Sequence, residues 1–176
     1  MVNNVVNKLK IISHSPWYWL LFISGGLTAL GIALFYQYYF EDQPCVLCIQ
    51  IRLWITLLIL LSIVGMLCRN KRVINSVMHL STVLVAAALT ERSYQLLGTE
   101  RGFVFGDCSF NLGLPDWFAI QQWLPSIYRI ESSCGYTPEL LFGITMAEAL
   151  MVMSVGMLVL TVGVTWASML ESTDRG

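Results

Sequence analysis

The sequence is short of charge. Of 176 residues only 12% are Asp, Glu, Lys or Arg, against 56% hydrophobic, and the mean hydropathy is +0.68. Soluble domains carry about twice that share of charge, so a water-soluble fold is a poor reading. The formal net charge is -1. No basic stripe is present to neutralise phosphates, which excludes a nucleic-acid partner. Five cysteines are far fewer than a disulfide-dense secreted scaffold needs. They suffice for redox or metal chemistry, and their spacing must decide which. There is no internal repeat and no low-complexity segment, and the length fits one domain.

What the chain does have is long apolar runs. A bilayer core is crossed by about 20 mostly apolar residues in helix, and four stretches qualify, at about 17–36, 49–67, 73–92 and 142–166. The first follows Lys8, Lys10 and Pro16, the last at a plausible first helical position. It is longer than a signal-peptide core and is not closed by a small-x-small site, so it is expected to stay as a span. The second carries Arg52 near its start. The third is diluted by Asn75, Ser76, His79 and Ser81. The fourth carries Glu148 near one end, within reach of the interface. The expected fold is all-α: a single polytopic membrane domain built as a four-transmembrane-helix bundle.

Loop charge sets the orientation, because Lys and Arg favour the cytoplasmic side. Lys8 and Lys10, the link with Arg69, Lys71 and Arg72, and the tail with Arg175 share one side of a four-span chain. The other side has Glu41 and Asp42 in a short loop. A long loop from about 93 to 141 follows, in which Glu100, Asp107, Asp116, Glu131 and Glu139 outnumber Arg101 and Arg129. Both termini are therefore expected in the cytoplasm and both outer loops outside it. Cys45, Cys48, Cys108 and Cys134 then face the oxidising compartment, while Cys68 faces the reducing one. Within the long loop, Pro115 to Leu124 is aromatic and amphipathic, with Trp117, Ile120 and Leu124 at helical spacing. It reads as a short interfacial helix, broken or kinked by Pro125, or alternatively as a small core under the loop.

The chemistry centres on Pro44-Cys45-Val46-Leu47-Cys48. A Cys-x-x-Cys pair closes a small reactive disulfide. Opening a helix, it meets the partial positive charge of the helix N-terminus, which favours the thiolate that performs exchange. Arg52, four residues after Cys48, shares its helix face. A permanent charge inside a span is costly and suggests function; the bland alternative is that it snorkels to the headgroups. Structural zinc wants four ligands. Cys108 and Cys134 are not a close-spaced pair, and neither His14 nor His79 lies in an outer loop, so no metal is expected. A Cys108–Cys134 disulfide would be either a structural staple worth about 3 kcal/mol or an exchangeable bond among Gly102, Gly106, Gly113 and Gly135; the residues leave both open. Cys68 reads as inert, and His79 as a polar contact between helices rather than a proton relay.

These residues resemble the DsbB family, disulfide bond formation protein B. The likeness lies in Pro44 to Cys48 with Arg52, in Cys108, Pro115-Asp116-Trp117, Trp123-Leu124-Pro125 and Cys134, and in Gly143 and Met146 of the last span. It spans all four helices and both loops. The resemblance implies a thiol oxidase of the bacterial inner membrane with periplasmic redox loops. Such an enzyme reoxidises a DsbA-type dithiol partner and passes the electrons to ubiquinone or menaquinone. Carried over by motif, Cys108 would form the mixed disulfide with the partner and Cys134 would be its loop mate. Cys45 would exchange with that pair, Cys48 would meet the quinone, and Arg52 and Met146 would line the quinone pocket.

Two places depart from the family pattern. Relatives often carry a His near the outer end of the third span, where this chain reads Glu91-Arg92-Ser93-Tyr94-Gln95, so another polar residue or Arg52 alone must serve. After Met146, where relatives often have Pro and an aromatic, Ala147, Glu148 and Ala149 follow. Two other readings compete. One is a four-span assembly protein with static outer disulfides. The other is a vitamin K epoxide reductase-like enzyme, which keeps its Cys-x-x-Cys late in the helix order rather than at the second span.

Overall fold

The computed structural model describes residues 15–104, 112–115, 117–132, 137–141 and 143–173. Four long helices dominate: α1 (Pro16–Tyr39), α2 (Val46–Cys68), α3 (Arg72–Arg101) and, last in the chain, α6 (Met146–Thr173). Between α3 and α6 lie two single-turn helices, α4 (Ile120–Trp123) and α5 (Pro125–Tyr128), and two short strands, β1 (Glu139–Leu141) and β2 (Ile144–Thr145). All four long helices are long and apolar enough to cross a membrane.

The burial pattern agrees with a bilayer as solvent. Leu21, Leu27, Leu60, Val152, Val159 and Trp166 are exposed along the helices, whereas Ser62, His79, Thr82, Ser93, Ser154, Thr161 and Thr165 are buried. In water this arrangement would be inside out; in lipid, helices gain from small and polar residues packed between them. The buried hydroxyls satisfy themselves locally: Ser62 donates to the Leu58 carbonyl at 2.7 Å, and Thr165 to that of Thr161 at 2.7 Å. Helix α1 approaches α2 closely at two glycines. A Cβ on Gly26 would lie 2.7 Å from Ile59, and one on Gly65 would lie 2.6 Å from the Trp19 ring.

The helices pack in the order α1 against α2, α2 against α3, and α3 against α6, while α1 and α6 scarcely touch. The bundle therefore has an open seam between its first and last helices.

Helix bounds differ from hydropathy in an instructive way. Helix α3 continues through residues 93–101, expected in the outer loop, so it projects about 14 Å past Arg92. Hydropathy marks where lipid ends, not where helix ends. Residues 93–101 stay helical because Ser93 and Leu96 are buried against the bundle and Gly102, at φ 76, supplies the left-handed cap. At the other boundary, α6 starts at Met146 rather than near 142. Thr145 and Glu148 form a reciprocal capping box: the Glu148 N–H donates to Thr145 Oγ1 at 3.3 Å, and the Thr145 N–H donates to Glu148 Oε2 at 3.2 Å. Glu148 also pairs with Arg101 at the end of α3. The residue expected only to reach the interface thus fixes the start of the last helix.

Of the amphipathic segment from Pro115 to Leu124, only Ile120–Trp123 is helical among the described residues, and a second single turn begins at Pro125. Trp117, Trp123 and Leu124 face outward, exposed, while Ile120 and Ile127 pack down on the core beneath α2. The segment presents one face outward and contributes to a core with the other.

Candidate redox site

The Cys-x-x-Cys motif sits where the chain turns into α2. Cys45 is the N-cap, in extended conformation, and its Sγ accepts a hydrogen bond from the Cys48 N–H at 3.3 Å. A cysteine thus occupies the place usually held by Ser, Thr or Asp, with its sulfur on the positive end of the helix dipole. The two sulfurs lie 2.7 Å apart. A disulfide needs about 2.05 Å, so bond formation requires only a small side-chain adjustment. Cys45 is buried and Cys48 half-buried.

Arg52 is buried, at 5% exposure, and its guanidinium is spent on the protein. Nη1 donates to Gln37 Oε1 at 2.6 Å and to the Ile127 carbonyl at 2.9 Å; Nη2 donates to the Ala33 carbonyl at 3.2 Å. One side chain so ties α1, α2 and the end of α5 together, and snorkelling is excluded by where its donors go. Arg52 Nε is buried with no hydrogen-bond partner among the described residues. Above it, the loops are stitched across the bundle. Tyr128 shares a 2.7 Å hydroxyl–hydroxyl hydrogen bond with Thr56, and Tyr38 donates to the Ser126 carbonyl at 2.7 Å.

The two outer loops meet at the motif itself. The Glu131 and Ser132 N–H groups both donate to the Pro44 carbonyl, at 3.0 and 3.3 Å. Ser132 Oγ donates to the Gln43 carbonyl at 2.6 Å, and Ser132 pairs in parallel with Cys45. Cys108 and Cys134 lie outside the described residues.

Beside the motif is a cavity of about 370 Å3. It fills the seam between α1 and α6, floored by α2, and its walls are mostly apolar. Cys48, Arg52 and Met146 all line it, with Ile55, Leu150 and Tyr36. Asp42, in the link between α1 and α2, lines it too; burial pushes its carboxyl above its ordinary pKa, and Arg52 pulls it part of the way back. No group of three or more His, Cys, Asp or Glu residues suited to a metal occurs among the described residues.

The comparison with known families decides what this arrangement belongs to: residues 15–164 match the family described as Disulfide bond formation protein DsbB. The chain belongs to the DsbB family. It is 30% identical over 132 residues to Disulfide bond formation protein B 2 of Pseudomonas aeruginosa, covering 74% of this chain and 78% of the relative. It is 28% identical over 148 residues to Disulfide bond formation protein B of a Shewanella species, covering 84% and 85%. It is 27% identical over 157 residues to the protein of that name from Psychromonas ingrahamii, covering 84% and 80%. Like the rest of the DsbB family, this is a multi-pass membrane protein of disulfide bond formation.

Three features went unread in the sequence. Gln37 lies in the aromatic run Phe35-Tyr36-Gln37-Tyr38-Tyr39, where a lone amide at the end of a span was the available signal for an Arg52 partner. The Thr145-Met146-Ala147-Glu148 spacing is a capping-box signature. Asp42 was counted only as loop charge.

Proposed function

We propose that the protein is a thiol:quinone oxidoreductase of the bacterial inner membrane, with both termini cytoplasmic. It reoxidises a periplasmic DsbA-type dithiol partner and delivers the electrons to ubiquinone or menaquinone. The observation that carries this reading is a dithiol at a helix N-terminus opening onto an apolar cavity that is walled by α1 and α6 and shared with a buried arginine. A quinone is a lipid-soluble ring with polar carbonyl oxygens. The seam between α1 and α6 gives it a lateral route from the bilayer. The volume suits a small-molecule headgroup, and the unpartnered Arg52 Nε supplies a donor in an otherwise apolar lining.

The roles follow from placement. Cys108 takes the attack of the partner's thiolate on the Cys108–Cys134 disulfide. Cys134 leaves, and the reducing equivalents pass to Cys45 through a mixed disulfide. The pairing of Ser132 with Cys45 supports this hand-over, because it anchors the chain two residues from Cys134 beside the Cys45 backbone. Cys45, capped by the Cys48 N–H, accepts a thiolate's charge at the helix end. Cys48 lines the cavity, and Arg52 and Met146 would hold a quinone ring there. Such a ring would supply the acceptor for the electron pair that Cys48 gives up as the Cys45–Cys48 disulfide re-forms.

Energetics favour such an acceptor. DsbA lies at about -120 mV, whereas ordinary structural disulfides lie below about -300 mV; a staple-grade disulfide would oppose the transfer by roughly 8 kcal/mol. Either the cysteine pairs are unusually poor disulfides or oxidation by quinone pulls the cycle.

The test is quinone reduction in detergent, followed by its ultraviolet absorbance, with a reduced DsbA-type dithiol as donor. Wild type is expected to turn over and Cys48→Ser to lose at least about a thousandfold, as removal of a nucleophile does. Folded protein that reduces neither ubiquinone nor menaquinone with any dithiol donor would sink the reading and favour static outer disulfides.

A further inference from the structure

The wall between the redox cavity and the outer face carries a group that the scheme above leaves unused. Asp42 stands in the link between α1 and α2, outside both spans. It lines the apolar cavity with Cys48 and Arg52. It also lines a second, polar cleft of about 670 Å3 walled by Phe40, Glu100, Thr137, Glu139 and Thr145. Tyr36, Pro138 and Leu140 border both hollows as well, but Asp42 is the one carboxyl among the described residues that does so. The turn is held in place. The Asp42 N–H donates to the Tyr36 carbonyl at 3.3 Å, and Glu41 before it adopts φ 55, a region that residues with a Cβ seldom occupy.

We propose that Asp42 is the proton-transfer residue of the quinone site, passing protons between the polar cleft and the acceptor bound in the apolar cavity; this rests on the quinone reading above. Oxidation of the Cys45–Cys48 dithiol to a disulfide releases two electrons and two protons, and reduction of a quinone to quinol consumes two of each. The balance closes, but the protons leave sulfur at one point and are needed on oxygen at another, inside an apolar enclosure. A carboxyl bordering both compartments gives its proton inward and is reprotonated from the cleft. Burial favours the neutral, proton-bearing form of Asp42, and Arg52 opposes it. The titratable and charged groups that line the two hollows with Asp42 are Arg52 and Cys48 from α2, Tyr36 from α1, Glu100 from α3 and Glu139 from β1. Glu100 is itself engaged by the Thr137 hydroxyl.

The experiment compares wild type, Asp42→Asn, Asp42→Glu and the neighbouring control Glu41→Gln in detergent. Asp42→Asn is expected to slow quinone reduction about 100-fold, the usual scale for losing a general acid. Its equilibrium affinity for ubiquinone should stay within about two-fold of wild type, since the two side chains are alike in size and uniform binding is untouched. Under turnover, alkylation and mass analysis should find its Cys45 and Cys48 accumulating in the reduced form. The wild-type rate should fall as pH rises through the Asp42 pKa. That limb should vanish in Asp42→Asn, persist in Asp42→Glu and be unchanged in Glu41→Gln. In Asp42→Ala, added formate should restore part of the rate, a route that stays open if the Asn variant misfolds. Asp42→Asn with wild-type rate and pH profile, or Asp42→Ala indifferent to formate, overturns the proposal alone. Wild type that reduces no quinone sinks the underlying reading and this one with it.

Discussion

Both ends of the bundle bury a polar, nitrogen-bearing side chain, but in different surroundings. At one end Arg52 is held by Gln37, Ala33 and Ile127 and borders a cavity beside Cys48. At the other His79 is fully buried, stacked on Trp19 with ring centroids 5.0 Å apart and tilted on Tyr18 at 5.2 Å, and it lines none of the cavities described above. A costly group inside a span is by default a functional suspect. The contrast shows that burial alone does not decide. What separates the two is space next to the group for something else to bind.

The largest effect that would sharpen this contrast is expected from Arg52→Met. Gln37 Oε1 and the Ile127 carbonyl lose the Arg52 donor at once, while the Ala33 carbonyl stays in the α1 ladder, and each buried acceptor left unpaired costs about 1–3 kcal/mol. The variant should lose several kcal/mol of stability by denaturant titration in detergent. Its affinity for quinone should fall at least about tenfold, the equivalent of one good hydrogen bond. Arg52→Lys should recover part of the stability but little of the affinity, since an ammonium cannot serve three directions as a planar fork does. Unchanged quinone affinity in a folded Arg52→Met would make Arg52 a brace like any other.

How far the sequence carried this reading can be judged at the same residues. The four spans, the helix-opening Cys-x-x-Cys and the position of Arg52 were legible because they depend on local signals: apolar runs, a turn-to-helix junction and a four-residue spacing. The anchoring of Arg52 was not, because Gln37 lies fifteen positions away on another helix and Ile127 lies beyond two spans. Met146 and Cys48 line one cavity only once α6 has packed on α3 across the seam from α1, and no periodicity records that. The extension of α3 to Arg101 was missed because hydropathy reports the solvent around a helix rather than its backbone.

A smaller effect tests the α1–α2 contact that runs between the two ends. Gly65 lies against the face of Trp19, where a Cβ would come within 2.6 Å. Gly65→Ala must push the indole, and with it the stack on His79, so a loss of about 1–3 kcal/mol is expected, as overpacking generally costs. Quinone turnover should be little affected, because Gly65 lies far along α2 from Cys48. Loss of the capping box in Thr145→Ala should cost about 1 kcal/mol, with a modest rise in quinone KM, since Met146 is the first residue of the helix so capped.

The smallest expected effect on activity is also the one most able to break the comparison. His79→Phe keeps a flat ring between Trp19 and Tyr18 and removes the imidazole from that cluster. If His79 is packing, turnover should stay within about two-fold of wild type at every pH, and the stability change should stay near the roughly 1 kcal/mol typical of a tolerated substitution. A drop of about tenfold or more, with a changed pH profile in a protein of normal stability, would mean that protons cross the bundle through His79. The far end would then be part of the machine, and proximity to a cavity would no longer separate a functional buried group from a structural one.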